Sequence, residues 1–133
     1  MSTVFTKIIN RELPGRFIYE DDVCVVFLTI EPLTPGHCLV VPRAEIPTWL
    51  ELDDPTRNHL FAVAQRMGRA VTTAFGSPMA ALIIAGFDVP HTHLHVVGAA
   101  NADQLHFAHA TNPGDAALDD AAERLRAALD ELP

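Results

Sequence analysis

Cysteine is scarce in this chain. Cys24 and Cys38 are the only two in 133 residues, and no C-x-x-C pair occurs. Two thiols cannot build the disulfide framework of a small secreted domain. Both sit in apolar runs and read as buried free thiols of a cytoplasmic protein, with a disulfide between them as the alternative. Positive charge is scarce too: nine Lys and Arg stand against 17 Asp and Glu, a net charge of −8 with histidine neutral. That balance argues against a binder of nucleic acid polymers or of an anionic membrane surface. It leaves room for a small anionic ligand in a local pocket. No run approaches the roughly 18 apolar residues of a membrane span. The start, "MSTVFTKII", carries Ser2, Thr3, Thr6 and Lys7 where a secretory leader needs an apolar stretch. Repeats, low-complexity tracts and linkers are also missing, so residues 1–133 read as one domain. What the chain has in quantity is apolar: 49% hydrophobic and 20% charged residues, a soluble globular composition and too apolar for disorder.

The pattern along the chain predicts an α+β domain, an antiparallel sheet with helices packed on it. "FTKIINREL" predicts a short helix over residues 5–13, with Phe5, Ile8 and Ile9 inward, and "ELPG" a turn after it. "VCVVFLTI" (residues 23–30) and "HCLVVP" (37–42) predict two antiparallel strands joined by the loop "EPLTPG". Asp54 is expected to cap the next helix, with Pro55 in its first turn and Leu60, Ala64, Met67, Val71 and Phe75 as its apolar stripe. Gly76 is expected to end it. "AALIIA" (80–85) predicts a third core strand, and the stretch 91–97 a fourth. After the loop "TNPGD", Leu118, Ala122, Leu125, Leu129 and Leu132 share one face of a last helix. His59, His106 and His109 read as solvated surface residues, Trp49 as loop packing, and the run Glu20, Asp21, Asp22 as a solvated turn.

The chemistry concentrates in "VPHTHLHVVG", where His91, His93 and His95 occupy alternate positions. On a strand, alternate side chains share a face, with neighbours roughly 7 Å apart. Leu94 and Val96 then face the core, and three imidazoles line the other side. Such a row is costly as plain packing, since each ring needs a hydrogen-bond partner and protonated rings repel one another. Two chemistries suit it. One is metal ligation by neutral imidazole. The other is nucleophilic attack by one neutral imidazole beside others that donate to anionic oxygens, as phosphoryl or nucleotidyl transfer requires. The strand carries no Cys, Asp or Glu to complete a metal site, which favours the second. His37, which follows Gly36 at the head of a strand, reads by its position alone as a structural residue.

Taken together, "VFTKIINRELPGRFIYEDDVCVVFLTIEPLTPGHCLVVPR", "LDDP" at a helix start, "AGFDVPHTHLHV" and "HTHLHVV" resemble, in order, the histidine triad family. The resemblance covers about residues 4–100; the helical tail, about 113–132, is only loosely comparable. It implies a sheet of about five antiparallel strands with a central and a C-terminal helix. It implies a nucleotide hydrolase or transferase that severs a nucleoside 5′-monophosphate from an amine, a sulfate or a second phosphate. The expected ligand is a purine nucleotide or nucleotide conjugate, the expected assembly a homodimer, and no cofactor is implied. Carried over by position, His93 is the nucleophile, His95 contacts the phosphate oxygens, His91 orients the row through its backbone as much as its ring, and His37 is the fourth histidine. Phe5, Ile8, Phe27, Ile30 and Leu39 match positions that enclose the base, and Phe87, Asp88 and Val89 the loop over the phosphate. Gly98 after Val97 resembles the phosphoramidase branch.

The chain departs from the family's pattern at six places, one of them a loop asparagine that has no counterpart in "PMAALIIAG". Many members hold zinc through a C-x-x-C and a histidine that here align with Thr3, Thr6 and Glu45, so no structural metal is expected. The aspartate that binds ribose aligns with Thr29, a weaker acceptor for a diol. A glutamine before the triad aligns with Phe87. These last changes keep a second reading open, a nucleotide-binding module with little turnover.

Overall fold

The structure, a computed structural model, describes residues 2–133. The architecture is α+β: a five-stranded, wholly antiparallel sheet and three helices. The first helix, α1 (Val4–Ile9), starts at Thr3, whose side chain accepts the Thr6 N–H. It is shorter than the sequence pattern predicts because Arg11 turns out of helical geometry at φ 65°. Strands β1 (Phe17–Glu20), β2 (Cys24–Leu28) and β3 (Cys38–Pro42) form a meander. Strand β1 is absent from the sequence expectations: its four residues, FIYE, are too few to show a period of two. Helix α2 (Asp54–Phe75) leads into β4 (Met79–Ile83), β5 (Leu94–Ala99) and the last helix, α3 (Asp115–Glu131). The spatial order is β1-β2-β3-β5-β4.

The sheet is two-faced, and period-two alternation decides which residue faces where. Cys24, Val26, Leu28, Cys38, Val40, Leu94 and Val96 meet the stripes of α2 and α3, built around Leu60, Met67, Val71, Ala122 and Leu125. The alternate residues Val25, Phe27, Leu39 and Val41 meet Phe5 and Ile9 of α1. Cys24 and Cys38 are both free and fully buried. Register keeps them apart, since Cys24 lies opposite Pro42 and Cys38 opposite Leu28.

Several expectations need correction. Asp53, not Asp54, caps α2, accepting the Thr56 N–H at 2.8 Å; Gly76 ends it in the left-handed region as expected. Strand β4 is an edge strand and not a core one, with Met79 and Leu82 exposed. Trp49 is 43% exposed, so a little over half of its surface is covered. The run at Glu20, Asp21 and Asp22 is a built turn. Asp21 accepts from the Val23 and Cys24 N–H groups and the Tyr19 hydroxyl, and His59, expected to be solvated, lies 2.6 Å from its second oxygen. His106 and His109 are exposed. No helix among the described residues is long and apolar enough to cross a membrane.

Candidate functional site

The site lies on the α1 face of the sheet, where β2, β3 and β5 present their alternate residues. A cavity of about 730 Å³ opens there. Phe5, Thr29, Ile30, Leu39, His37, His93 and His95 line it, and so do Phe87, Asp88 and Val89 of the loop before β5. Ile8 and Phe27 line a second cavity, of about 840 Å³, that shares Phe5, Thr29, Ile30 and Leu39 with the first. Of the residues singled out from sequence, only His91 lines neither.

His91 breaks the expected row. Strand β5 begins at Leu94, so His91 and His93 precede the regular alternation. The His91 N–H donates to Val89 O, a tight turn that sends the ring beneath α1, where it is wholly buried. Its Nε2–H donates to Pro42 O and its Nδ1 accepts from the Thr3 hydroxyl, both at 2.8 Å. The histidines that do cluster at the cavity are His93, His95 and His37. Ring centroids lie 4.9 Å apart for the first two and 5.2 Å for His37 and His95. Strand register explains the third member: β3 runs beside β5 with Leu39 opposite His95, which puts His37 at the same end. Gly36 makes this entry to β3 feasible. It sits at φ +86°, and a Cβ there would fall 2.3 Å from the Phe75 ring.

Hydrogen bonds assign the protons. His37 Nδ1 accepts the Leu33 N–H at 3.0 Å, so its proton is on Nε2 and is donated to His95 Nδ1, again at 3.0 Å. His95 therefore carries its own proton on Nε2. His93 donates Nδ1–H to His91 O at 2.7 Å, leaving a lone pair on Nε2. Two neighbouring rings thus offer opposite functions, a lone pair on His93 and a donor on His95. Burial keeps the whole set neutral. It pushes His37 down to about 4 and, with the repulsion that protonated His37 and His93 would exert, His95 down to about 3. His91 and His93 are lowered as well, mainly by burial, though the carbonyls of Pro42 and His91 oppose the shift.

Among the lining residues that sequence reading did not name, two carry chemistry, Phe107 and Glu31. Phe107, in the tail, packs its ring 4.9 Å from that of His95. Only the path of the tail back over the sheet brings it there. Glu31 joins Asp88 as a second carboxylate of the lining, which holds no lysine or arginine. Phe87 is 95% exposed at the rim.

The positions aligned with zinc ligands do converge. Thr3 and Thr6 meet Glu45 and His91, but as a hydrogen-bonded group. Two threonines offer neutral hydroxyls, and both His91 nitrogens are already engaged. Zinc wants thiolates and free imidazole nitrogens, so these residues do not fit it. Among the described residues Asp21, Cys24 and His59 also bring ligand atoms within 4.8 Å of one another. There the carboxylate is saturated by backbone N–H groups, Tyr19 and His59.

Known proteins resemble the chain throughout. The profile of the HIT domain family matches residues 10–102. An uncharacterised HIT-like protein of Borreliella burgdorferi is 38% identical over 71% of this chain and 73% of its own. The adenylylsulfatase HINT3 of Arabidopsis thaliana is 33% identical over 77% of this chain and 54% of its own. Among solved structures, a Zn-bound histidine triad family protein from Mycobacterium smegmatis superposes with a TM-score of 0.86 at 32% identity, covering 98% of this chain and 95% of that one. With the domain match spanning most of the chain and His93 and His95 of the H-x-H-x-H segment lining the cavity, this protein belongs to the histidine triad family.

Proposed function

We propose that the chain is a hydrolase or transferase that releases a nucleoside 5′-monophosphate from a phosphoramidate or a (di)nucleoside polyphosphate through a nucleotidyl-histidine intermediate. The observation that carries this reading is the proton pattern: His93 Nε2 has a free lone pair at the cavity while His95 Nε2–H stands beside it. His93 Nε2 attacks the α-phosphorus, a P–N bond to the ring forms, and the bond to the leaving group breaks with its electron pair going to that group, a leaving amine taking up a proton from solvent as it departs. His95 donates to a phosphate oxygen as charge develops on it. Water then attacks the same phosphorus, freeing the monophosphate and His93. The His91 carbonyl holds the His93 tautomer, and His37 holds that of His95.

Glu31 and Asp88, with no cation opposite them, favour a phosphoramidate over a polyanionic leaving group. Phe5, Leu39 and Ile30, with Ile8 and Phe27 beyond them, form an apolar bed suited to a purine. Exposed Met79, Leu82 and Phe61 beside the unpaired edge of β4 support a homodimer built across that edge. Free, buried Cys24 and Cys38 suit a reducing cytoplasm.

Incubation with adenosine phosphoramidate and with diadenosine polyphosphates tests the reading. Turnover is expected on both, faster on the phosphoramidate. His93→Ala should remove turnover and any covalent adduct, a loss of several orders of magnitude, while nucleotide binding survives. Wild-type rates in that variant refute the covalent step. A second reading, a binding module with little turnover, draws on Thr29: its hydroxyl accepts the Glu31 N–H and stands where a carboxylate would hold ribose. Tight nucleotide binding with no turnover on either substrate class selects it.

A further inference from the structure

The cluster under α1 is more than the place of a missing metal. Glu45 Oε1 accepts the Thr3 N–H at 2.7 Å and the Thr6 hydroxyl at 2.8 Å. The Thr3 hydroxyl accepts the Thr6 N–H and donates to His91 Nδ1. His91 Nε2–H closes the circuit on Pro42 O, at the end of β3. One residue after Glu45, Ile46 O accepts both the N–H and the hydroxyl of Thr92. The segment 45–46 therefore grips α1 on one side and the residue between His91 and His93 on the other. Two parts held by this grip touch His93. Its Nδ1–H is on the His91 carbonyl, and the Phe5 ring, on the first turn of α1, stands edge-on 4.7 Å from its ring.

A six-residue helix has little stability of its own. Tertiary bonds must set its place, and with it the place of Phe5. We propose that Thr3, Glu45 and His91 form a metal-free positioning network that fixes the tautomer and orientation of the His93 ring. It rests on the reading of His93 as nucleophile. In this chain hydrogen bonds hold the segments that a zinc ion would tie in a chain with ligands at those positions. Thr3, Glu45 and His91 are positioning residues here, since none of them lines the cavity. Their expected effect is on the fraction of molecules with His93 Nε2 unprotonated and aimed. Misplacement of a reacting group by about 1 Å typically costs on the order of 100-fold in rate.

The test combines turnover with nitrogen-15 NMR of the histidine side chains in the full-length protein. In the wild type, His93 should appear as the single Nδ1–H tautomer, unchanged by a chelator. Thr3→Val removes the donor to His91 and the cap of α1; Glu45→Ala removes the acceptor that holds both threonines while altering only an exposed side chain. Both variants should show mixed His93 tautomers and a kcat lower by about 10- to 100-fold. Thr3→Ser and Glu45→Gln keep the hydroxyl and the acceptor, and should retain both the tautomer and the rate. The proposal is overturned if folded Glu45→Ala keeps a single His93 tautomer, or if chelation alone disturbs the wild-type spectrum. Absence of turnover in the wild type would count against the proposed function instead, and the tautomer comparison would still decide the network.

Discussion

Thr29 marks the point where strand β2 has ended and the cavity begins. Its N–H donates to His37 O, and its hydroxyl faces Glu31. A threonine offers a diol one hydroxyl where a carboxylate would offer two charged acceptor oxygens. Hydrogen bonds to a charged acceptor contribute roughly 1.5–3 kcal/mol, about 10- to 100-fold in affinity. Thr29→Asp should tighten nucleoside monophosphate binding by about that factor, and less for a 2′-deoxy nucleotide. Titration calorimetry on the two ligands measures it; equal and unchanged affinities would show that ribose does not sit at Thr29. Phe107 supports a different kind of test. Its ring shields His95, and burial is the largest cause of the low His95 pKa. Phe107→Ala should admit water and move that pKa up from about 3 toward the ordinary histidine value of about 6.5. A histidine NMR titration that stays unmoved would mean that other neighbours exclude the water.

At the scale of elements, caps and close approaches decide where the chain turns. The sequence "LDDP" offers two aspartates, and only the backbone shows which one points its oxygen at an N–H. Asp53→Ala should therefore lower the melting temperature more than Asp54→Ala, whose side chain is exposed and paired only with Arg57. Equal effects would place the cap elsewhere. Gly98 in β5 has a packing reason to be glycine: a Cβ there would fall 2.6 Å from Ser77 Oγ and 2.7 Å from Val71 Cγ1. Gly98→Ala overpacks the contact between β5, α2 and the turn before β4, and should cost roughly 1–3 kcal/mol in a denaturant titration. This also gives a steric account of the residue that, by resemblance alone, hinted at one branch of the family. The short β1 and the early end of α1 are the elements the pattern did not reveal. Four residues carry too little periodicity, and the positive φ of Arg11 has no signal in side-chain type.

At the scale of the whole molecule, the buried histidines couple stability to pH. The fold holds His37 and His95 neutral, with pKa values of about 4 and about 3, against about 6.5 in an unfolded chain. As pH falls below about 6.5 the unfolded chain binds protons that the folded chain refuses. Stability is therefore full above that value and declines down to about pH 4 and then about pH 3. At about 1.4 kcal/mol per pKa unit, the two rings together amount to several kcal/mol. Urea midpoints should fall steadily between pH 7 and pH 4.5, and a flat profile would contradict the burial of neutral rings. A chelator should leave the melting temperature unchanged, since a hydrogen-bonded group stands where a structural zinc would contribute on the order of 10 kcal/mol.

The sequence by itself determined the α+β class, the apolar stripes of α2 and α3, the strands β2 and β3, and the histidine-rich segment. All of these follow from local periodicity and residue type, which a linear chain displays directly. Its resemblance to the histidine triad family named residues that the structure brings to two adjoining cavities, His91 excepted. Only the tertiary structure decided which three histidines meet. Register between β3 and β5 brings His37 to His95, while a turn at Val89 takes His91 out of the row and under α1. Alternation along a strand predicts a face only where the strand is regular, and the regular part starts at Leu94. The arrival of Phe107 over His95, and of Glu45 at Thr3 and Thr6, joins residues far apart in the chain. Such contacts depend on the path of every element between them, and no local pattern encodes that path.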